Sequence, residues 1–199
     1  MKPHDLAGWR KRLRRALIEK RVAIPLDVLE DFRRRIDTHL QRAFPDLARG
    51  VIGFCWPDRN EYDARHLLAL LRRRGAVTAL PVVVAPKIPL EFREWHQGVA
   101  MQEGALGIPF PVGTARLQPD TVLIPVVGFD AQGYRLGHGG GYFDRTLATL
   151  ARPPRTIAIA YEMLFVETIH PRPHDVPMDY VVTERGVYER RGGRLEFSG

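Results

Sequence analysis

The chain has 199 residues, 45% of them apolar, a formal charge of +7 and one cysteine. These values predict a single domain over residues 1–199 with one sizeable core, and they exclude an internal disulfide because Cys55 has no partner. No apolar run reaches the roughly 18 residues of a membrane span, and the charged start does not resemble a signal peptide. We therefore expect a cytoplasmic protein with no membrane partner.

The excess of positive charge attracts anions. It is concentrated in the N-terminal RKRLRR and in triple arginines at positions 33–35 and 72–74. No zinc-finger or RNA-recognition signature accompanies these cations. The charge therefore favours a phosphate- or carboxylate-bearing ligand over nucleic acid, and a basic RNA-binding module is kept as an alternative.

Apolar residues recur at helical spacing over residues 5–22 and 26–44, which predicts two amphipathic helices. Four later apolar runs predict buried strands: GVIGFCW, AVTALPVVV, TVLIPVVGF and RTIAIAY. Helical segments separate them: ARHLLALLRRR after the first run and GYFDRTLATLA after the third. LEFREW predicts a more exposed strand, MQEGALGIPFPVGTARLQPD an irregular surface excursion, and MDYVVTERGVYER one or two final strands.

The alternation of buried strands and helices predicts an α/β fold, a three-layer α/β/α arrangement with a mostly parallel central sheet. Ligands of such sheets bind outside the carboxyl ends of the strands. Two loops are expected there: the one that follows GVIGFCW and a glycine-rich loop after TVLIPVVGF.

The glycine-rich loop, in YRLGHGGGYFDRTL, has four glycines within positions 137–141, directly before a predicted helix. Glycines are costly to order, so the cluster needs a reason. One reason is a tight turn; the other is a set of amides that face an anion at a helix N-terminus. The loop is neither a Walker A motif nor a dinucleotide fingerprint, because it lacks the Lys-Ser/Thr pair and has Tyr142 at the last glycine position. Both readings stay open on these residues alone.

Asp144 lies in the first turn of the helix that follows. A carboxylate there complements the exposed amides and the helix dipole. Beside a triphosphate it would instead suit Mg²⁺, which takes one or two protein carboxylates along with phosphate oxygens. The residues by themselves favour the capping role.

The stretch PVVGFDAQGYRLGHGGGYFDRTL resembles the signature of the 5-formyltetrahydrofolate cyclo-ligase family. RKRLRRAL, FCWPDRNEYD and PHDVPMDYVVTE are similar to other motifs of that family. The resemblance implies an enzyme that uses ATP and Mg²⁺ to convert 5-formyltetrahydrofolate into 5,10-methenyltetrahydrofolate, ADP and phosphate. We expect a monomer or a weak homo-oligomer.

The resemblance also implies roles for individual residues. The implied ATP contacts are Arg10 or Lys11, Arg14, Arg135, Gly137, His138, Gly139, Gly140, Gly141, Tyr142 and Phe143. Arg135, His138 and Asp144 would be catalytic, Asp144 and Asp179 would be the magnesium carboxylates, and Trp56 and Glu61 would line the folate pocket.

The chain also departs from the family pattern. Many relatives carry lysine at the position of Gly140 and tyrosine at that of Phe143, and position 138 varies between arginine and tyrosine elsewhere, where this chain has histidine. These departures leave an alternative open, a nucleotide- or phosphate-binding α/β paralogue with another substrate or a regulatory role.

Overall fold

The structure, a computed structural model, describes residues 3–199; the first two residues of the predicted domain lie outside this range. Within it the α-helices are α1 (Pro3–Val22), α2 (Leu26–Ala43), α3 (Arg65–Arg73) and α4 (Tyr142–Thr149). Short 3₁₀ helices cover Pro45–Arg49, Ala105–Gly107 and Glu162–Leu164. The predicted helices at 5–22 and 26–44 are confirmed to within two residues at each end. None of the described helices is both long and apolar enough to cross a membrane.

The strands form one large sheet and two small ones. The large sheet contains β1 (Val51–Phe54), β2 (Val77–Val82), β3 (Glu91–Glu94), β6 (Arg116–Leu117), β7 (Thr121–Pro125), β10 (Arg155–Ile159), β12 (Tyr180–Thr183), β13 (Gly186–Arg191) and β14 (Arg194–Phe197). The small sheets contain β4 (Met101–Glu103) with β5 (Pro109–Pro111), and β8 (Gly128–Asp130) with β9 (Arg135–Leu136) and β11 (Phe165–Val166).

The large sheet has the order β14-β13-β12-β10-β7-β1-β2-β3-β6. Its five central strands, β12-β10-β7-β1-β2, pair in parallel. Antiparallel strands extend it on both sides. The predicted parallel core is therefore confirmed, because the continuous apolar runs became the strands that are covered on both faces.

Helices cover both faces of this sheet. One core joins α1, α2 and α3 to the sheet through residues such as Leu17, Ile36 and Leu68. The other core contains Leu147 of α4 together with Phe129 and other residues of the opposite face. Burial of each large aliphatic side chain contributes about 1.5–3 kcal/mol, so both cores hold the layers together. This confirms the predicted three-layer arrangement.

Two segments differ from the sequence-based prediction. The run TVLIPVVGF is divided between β7 and β8, because the chain leaves the large sheet at Val126 and Val127: the Val126 amide donates to Ile159 (3.1 Å) and the Val127 amide donates to Leu136 (2.8 Å). The excursion over residues 101–120 is not wholly irregular, since it contains the β4–β5 hairpin and the edge strand β6. Strands this short carry no periodic signal.

The strand order reverses between β1 and β7. From β1 the chain crosses through α3 to β2 on one side, whereas β7 lies on the other side of β1 and leads through α4 to β10. The two crossovers lie on opposite faces of the sheet. A crevice therefore opens at the carboxyl ends of β1 and β7, which is where open α/β sheets bind ligands.

Candidate active site

A contact between Glu61 and His138 joins the two loops at the crevice between β1 and β7. Glu61 belongs to the loop after β1, and His138 belongs to the glycine loop that follows the β8–β9 hairpin. His138 Nε2 lies 2.8 Å from Glu61 Oε1, although 77 residues separate them in sequence. The Glu61 side chain is 4% exposed and the His138 side chain 39%, so the pair reaches from the interior to the surface.

Helix α1 directs three arginines toward this end of the sheet. Arg14 Nε donates to the Gly137 carbonyl (2.7 Å). Arg10, one turn earlier, donates to the Ile169 carbonyl (3.1 Å) and pairs with Asp175 (2.6 Å). Burial, with the neighbouring Arg10 charge, lowers the pKa of Arg14 from its usual value. The positive charge of Arg14 is therefore poorly solvated and lies near a second cation, so an anionic ligand beside it would be favourable.

The third arginine of α1, Arg21, is almost completely buried, with 1% of its surface exposed. Its Nη2 lies 3.3 Å from Glu61 Oε1, and its Nε donates to the Arg59 carbonyl (2.9 Å). Burial lowers the pKa of Arg21, and the Glu61 charge opposes that shift. Glu61 is therefore held by a buried cation on one side and by His138 on the other.

The glycine loop combines two backbone requirements. Gly139 and Gly141 have φ values of +100° and +64°, a region that side chains other than glycine adopt at a cost. Gly137 has no such φ value, and a β-carbon there would have no protein atom within 4 Å. The turn thus requires glycine at positions 139 and 141. It does not require glycine at position 137, where the close approach of a ligand would be the reason for a residue without a side chain.

Arg145 folds back from α4 over the same loop. Its Nη2 donates to the Gly140 carbonyl (2.7 Å), and its guanidinium lies 5.0 Å from the centre of the Tyr142 ring. Its Nε is buried, with no hydrogen-bond partner among the described residues. Arg14 and Arg145 therefore place two guanidinium groups against one short stretch of backbone at a helix N-terminus, which is an anion-binding arrangement.

Asp144 pairs with Arg135 behind the loop. Its Oδ1 accepts from Arg135 Nη2 (2.8 Å) and from the Val176 amide (3.0 Å). Arg135 is buried, which lowers its pKa, and the Asp144 charge opposes that shift. Asp144 lies in the first turn of α4, and the N-cap residue of this helix is Gly141, which has no side chain to cap it. In addition to the first-turn position that the residues alone predicted, Asp144 therefore forms a bridge between β9 and the segment around Val176.

Trp56 lies on the loop after β1, close to the same crevice. The Arg65 guanidinium covers its ring at 4.4 Å, and the buried Trp95 packs edge-on at 6.3 Å. One ring face is thus covered by a cation that is itself paired with Asp63 (2.7 Å). Trp56 and Glu61 are brought onto one short loop, as expected for a pocket with an apolar wall and one acceptor.

The sequence was compared with models of known protein families. The sequence model described as the 5-formyltetrahydrofolate cyclo-ligase family matches residues 7–184. The chain belongs to this family. The match includes α1 from residue 7 onward, the loop of Glu61 and the glycine loop, so the site residues named above all lie within the matched range.

Individual relatives match most of the chain. The 5-formyltetrahydrofolate cyclo-ligase of Mycolicibacterium smegmatis is 30% identical over 191 residues, which are 92% of this chain and 97% of the relative. The Escherichia coli K12 enzyme of the same name is 30% identical over 139 residues, 65% of this chain and 75% of the relative. The solved structure of Aquifex aeolicus 5,10-methenyltetrahydrofolate synthetase is 27% identical, has a TM-score of 0.79 and covers 96% of both chains.

The cyclo-ligase fold does not bring all the expected site residues together. Tyr142 and Phe143 begin α4 beside the loop, and the Tyr142 ring lies next to Gly140. Arg10 is engaged by the segment from Ile169 to Asp175. Lys11 is exposed on the helix surface, so the geometry supports the register in which Arg10 and Arg14 face the loops.

Asp179 directly precedes β12. Its Oδ2 accepts from the amide and the hydroxyl of Thr156, at 2.7 and 2.8 Å. Thr156 is the second residue of β10 and pairs with Val122, near the start of β7. Asp144 and Asp179 thus have different contacts, with Arg135 and Thr156 respectively, and their pairing on a magnesium ion stays a prediction. Within residues 3–199 no group of three or more His, Cys, Asp or Glu side chains is arranged to hold a metal ion.

These contacts predict a structural role for Asp179. We expect Asp179→Ala to lower the free energy of unfolding by about 1–3 kcal/mol, because the Thr156 amide and hydroxyl lose a charged acceptor. The dependence of activity on Mg²⁺ concentration should stay unchanged. Chemical denaturation and a magnesium titration measure the two effects; a raised requirement for Mg²⁺ in a variant of normal stability would assign Asp179 to the metal.

Arg21 was not among the site residues predicted from the sequence. A signal was nevertheless present. Leu13 and Leu17 form an apolar stripe on α1, and its next position at a spacing of four is Arg21 rather than an apolar residue. A cation where the core pattern requires an apolar side chain indicates a buried ion pair.

Proposed function

We propose that this chain catalyses the ATP-dependent conversion of 5-formyltetrahydrofolate into 5,10-methenyltetrahydrofolate, with ADP and phosphate as the other products. The observation that carries the proposal is the meeting of Glu61 and the glycine loop at one crevice, in a chain that the cyclo-ligase family matches over residues 7–184. A cytoplasmic location and a monomer or weak homo-oligomer belong to the same proposal.

The nucleotide phosphates would bind at the glycine loop. The fit rests on the open space over Gly137, the unpartnered Arg145 Nε and the partly desolvated Arg14 guanidinium. Arginines and backbone amides suit phosphate because both donate hydrogen bonds in fixed directions. Phosphoryl transfer needs alignment and neutralisation of charge more than covalent help from the protein, and this set of donors provides both.

A magnesium ion bound with ATP would take Asp144 as its protein ligand. Oδ1 of Asp144 is held by Arg135 and Val176, which fixes the carboxylate at the start of α4. One carboxylate fits a Mg²⁺ whose remaining ligands are phosphate oxygens and water. When bound, Mg²⁺ would offset negative charge on the phosphates.

The folate would bind on the loop after β1. Glu61 is the acceptor there for the N–H groups of the pterin ring, and Trp56 supplies apolar surface. Glu61 and the glycine loop are in direct contact through His138, so a folate on the first loop and a nucleotide on the second would be neighbours. This proximity is what a direct transfer between the two substrates requires.

The reaction then follows from the chemistry of the formyl group. The formyl oxygen attacks the γ-phosphorus and the bond to the ADP oxygen breaks, which turns a poor leaving group into a phosphate ester. The neighbouring N10 then attacks the one-carbon centre and gives up its proton to water. The ring closes as the carbon–oxygen bond to phosphate breaks and phosphate leaves. Arg14 and Arg145, which contact the Gly137 and Gly140 carbonyls, would stabilise charge on the transferred phosphoryl group together with the loop amides.

The test is an assay of the purified protein with 5-formyltetrahydrofolate, ATP and Mg²⁺. We expect the near-ultraviolet absorption of the methenyl product to rise together with ADP, in equal amounts, and only when all three components are present. Reactions without ATP, and reactions with a chelator, are the controls. Nucleotide binding without formation of methenyl product would support the alternative of a nucleotide-binding paralogue with another substrate.

A further inference from the structure

The carboxylate of Glu61 already has several partners within the described residues. Oε1 is 2.8 Å from His138 Nε2 and 3.3 Å from Arg21 Nη2, and Oε2 accepts from the Asp58 amide at 3.1 Å. A carboxylate has about four acceptor positions, two on each oxygen. Oε1 therefore accepts from His138 beside the Arg21 cation, and Oε2, which accepts from one backbone amide, keeps an acceptor position for a ligand.

The hydrogen bonds of His138 define its tautomer. Arg59 Nη2 lies 3.3 Å from His138 Nδ1. A guanidinium can only donate, so Nδ1 is the acceptor and the imidazole proton lies on Nε2, where it is donated to Glu61. The side chain of His138 is thereby turned to the loop after β1, although its backbone belongs to the glycine loop.

Arg21 holds the same loop from beneath. It donates to the carbonyls of Arg59 (2.9 Å), Asp58 (3.4 Å) and Val126 (3.4 Å), and so ties the loop after β1 to the end of β7. Arg59 and Asn60 have φ values of +43° and +61°, which cost energy in residues other than glycine. Such a backbone persists only where surrounding contacts fix it, and Arg21 supplies them.

The space around the ion pair is small. The cavity lined by Arg21, Glu61 and Tyr161, among others, has a volume of about 10 Å³, which is room for roughly one water molecule. The Glu61 carboxylate is therefore held by His138, Arg21 and the Asp58 amide, with little empty space beside it.

We propose that Arg21 and His138 are positioning residues that clamp Glu61 for the folate, so that His138 serves the folate side of the reaction and not the nucleotide phosphates. This inference rests on the proposed function, because it takes Glu61 as the pterin acceptor. It differs from the role that the resemblance implies for position 138, which is a phosphate contact. The physical reason is that the hydrogen-bonding nitrogens of His138 face Glu61 and Arg59.

The test compares His138→Ala and His138→Gln with the parent by calorimetry, titrating 5-formyltetrahydrofolate and a non-hydrolysable ATP analogue separately. We expect His138→Ala to bind the folate about tenfold more weakly, because a hydrogen bond to a buried charge is lost. The affinity for the ATP analogue should stay within about twofold of the parent. Glutamine offers a side-chain N–H in place of the imidazole and should restore most of the folate affinity.

A spectroscopic measurement tests the tautomer independently of activity. Two-bond ¹H–¹⁵N spectra of the parent, assigned with the His138→Ala variant, should show His138 as the Nε2–H form. Glu61→Gln should perturb its Nε2 signal. An Nδ1–H imidazole, or no response to Glu61→Gln, would remove the hydrogen bond on which the inference depends.

The outcomes separate the two proposals. A parent that binds no 5-formyltetrahydrofolate contradicts the proposed function itself. The other outcome is a parent that binds folate and a His138→Ala variant that keeps the folate affinity and loses nucleotide affinity. That outcome contradicts the role of His138 as a clamp and leaves the proposed function intact. Arg21→Met is a second test. If this variant melts cooperatively, it should lose folate affinity at least as strongly as His138→Ala and keep the nucleotide affinity of the parent.

Discussion

Asp144→Asn should lower the turnover number by about two to three orders of magnitude, the size of effect seen when one charged or hydrogen-bonding group is removed from a transition state. Asparagine keeps an oxygen for Arg135 and for the Val176 amide, so the loop should stay in place. What is lost is the negative charge that a metal ion beside the phosphates requires. Turnover measured over a range of Mg²⁺ concentrations should recover in part as Mg²⁺ rises.

The stability of this variant needs a separate measurement. The Arg135 side chain is 5% exposed, so removing the charge of its partner leaves a buried cation less well compensated. We expect the free energy of unfolding to fall by about 1–3 kcal/mol, and kinetics should therefore be recorded well below the melting temperature. Asp46→Asn is the matched control, since Asp46 pairs with Arg155 on the surface (2.8 Å) and should leave turnover unchanged. Normal turnover in Asp144→Asn, with lowered stability, would limit Asp144 to its structural bridge.

The sequence predicted the parts of this fold that depend on local pattern. Helices α1 and α2, the buried strands and their parallel arrangement follow from apolar periodicity and from the length of the apolar runs. The break between β7 and β8 was missed because TVLIPVVGF is apolar throughout, and the exit at Val126 is set by hydrogen bonds to other strands. Tertiary partners, which no local window contains, decided that boundary.

The candidate site was predictable as a set of loops and not as a set of contacts. The carboxyl-end rule placed the loop of Glu61 and the glycine loop at one edge. It could not show that His138 reaches across 77 residues to Glu61, or that Asp179 is engaged by Thr156. Side-chain direction within an irregular loop depends on its neighbours in space, so the pairing of Asp144 with Asp179 stays a prediction that this geometry does not support.

The structure also changes which glycine tests the phosphate-binding role. Valine at Gly139 or Gly141 would strain a left-handed backbone whether or not a ligand binds there. A β-carbon at Gly140 would lie 2.8 Å from the Tyr142 ring, so that ring must move before the position accepts the lysine of relatives. Gly137 has neither problem, since its φ is outside the left-handed region and the space above it is open.

Gly137→Val should therefore abolish detectable binding of an ATP analogue, at least a hundredfold loss, while the protein keeps a cooperative melt within about 0.5 kcal/mol of the parent. The reason is that the branched side chain would fill the open space beside the loop in which we propose that the phosphates bind. Gly137→Ala should show a smaller loss. Gly8→Ala on α1, where a β-carbon would lie 3.5 Å from the Arg12 guanidinium, is the control for replacing glycine outside the loop. Calorimetry with the analogue, alongside thermal unfolding, measures both properties. Parent-like nucleotide affinity in Gly137→Val would show that the loop is a turn whose amides do not contact phosphate.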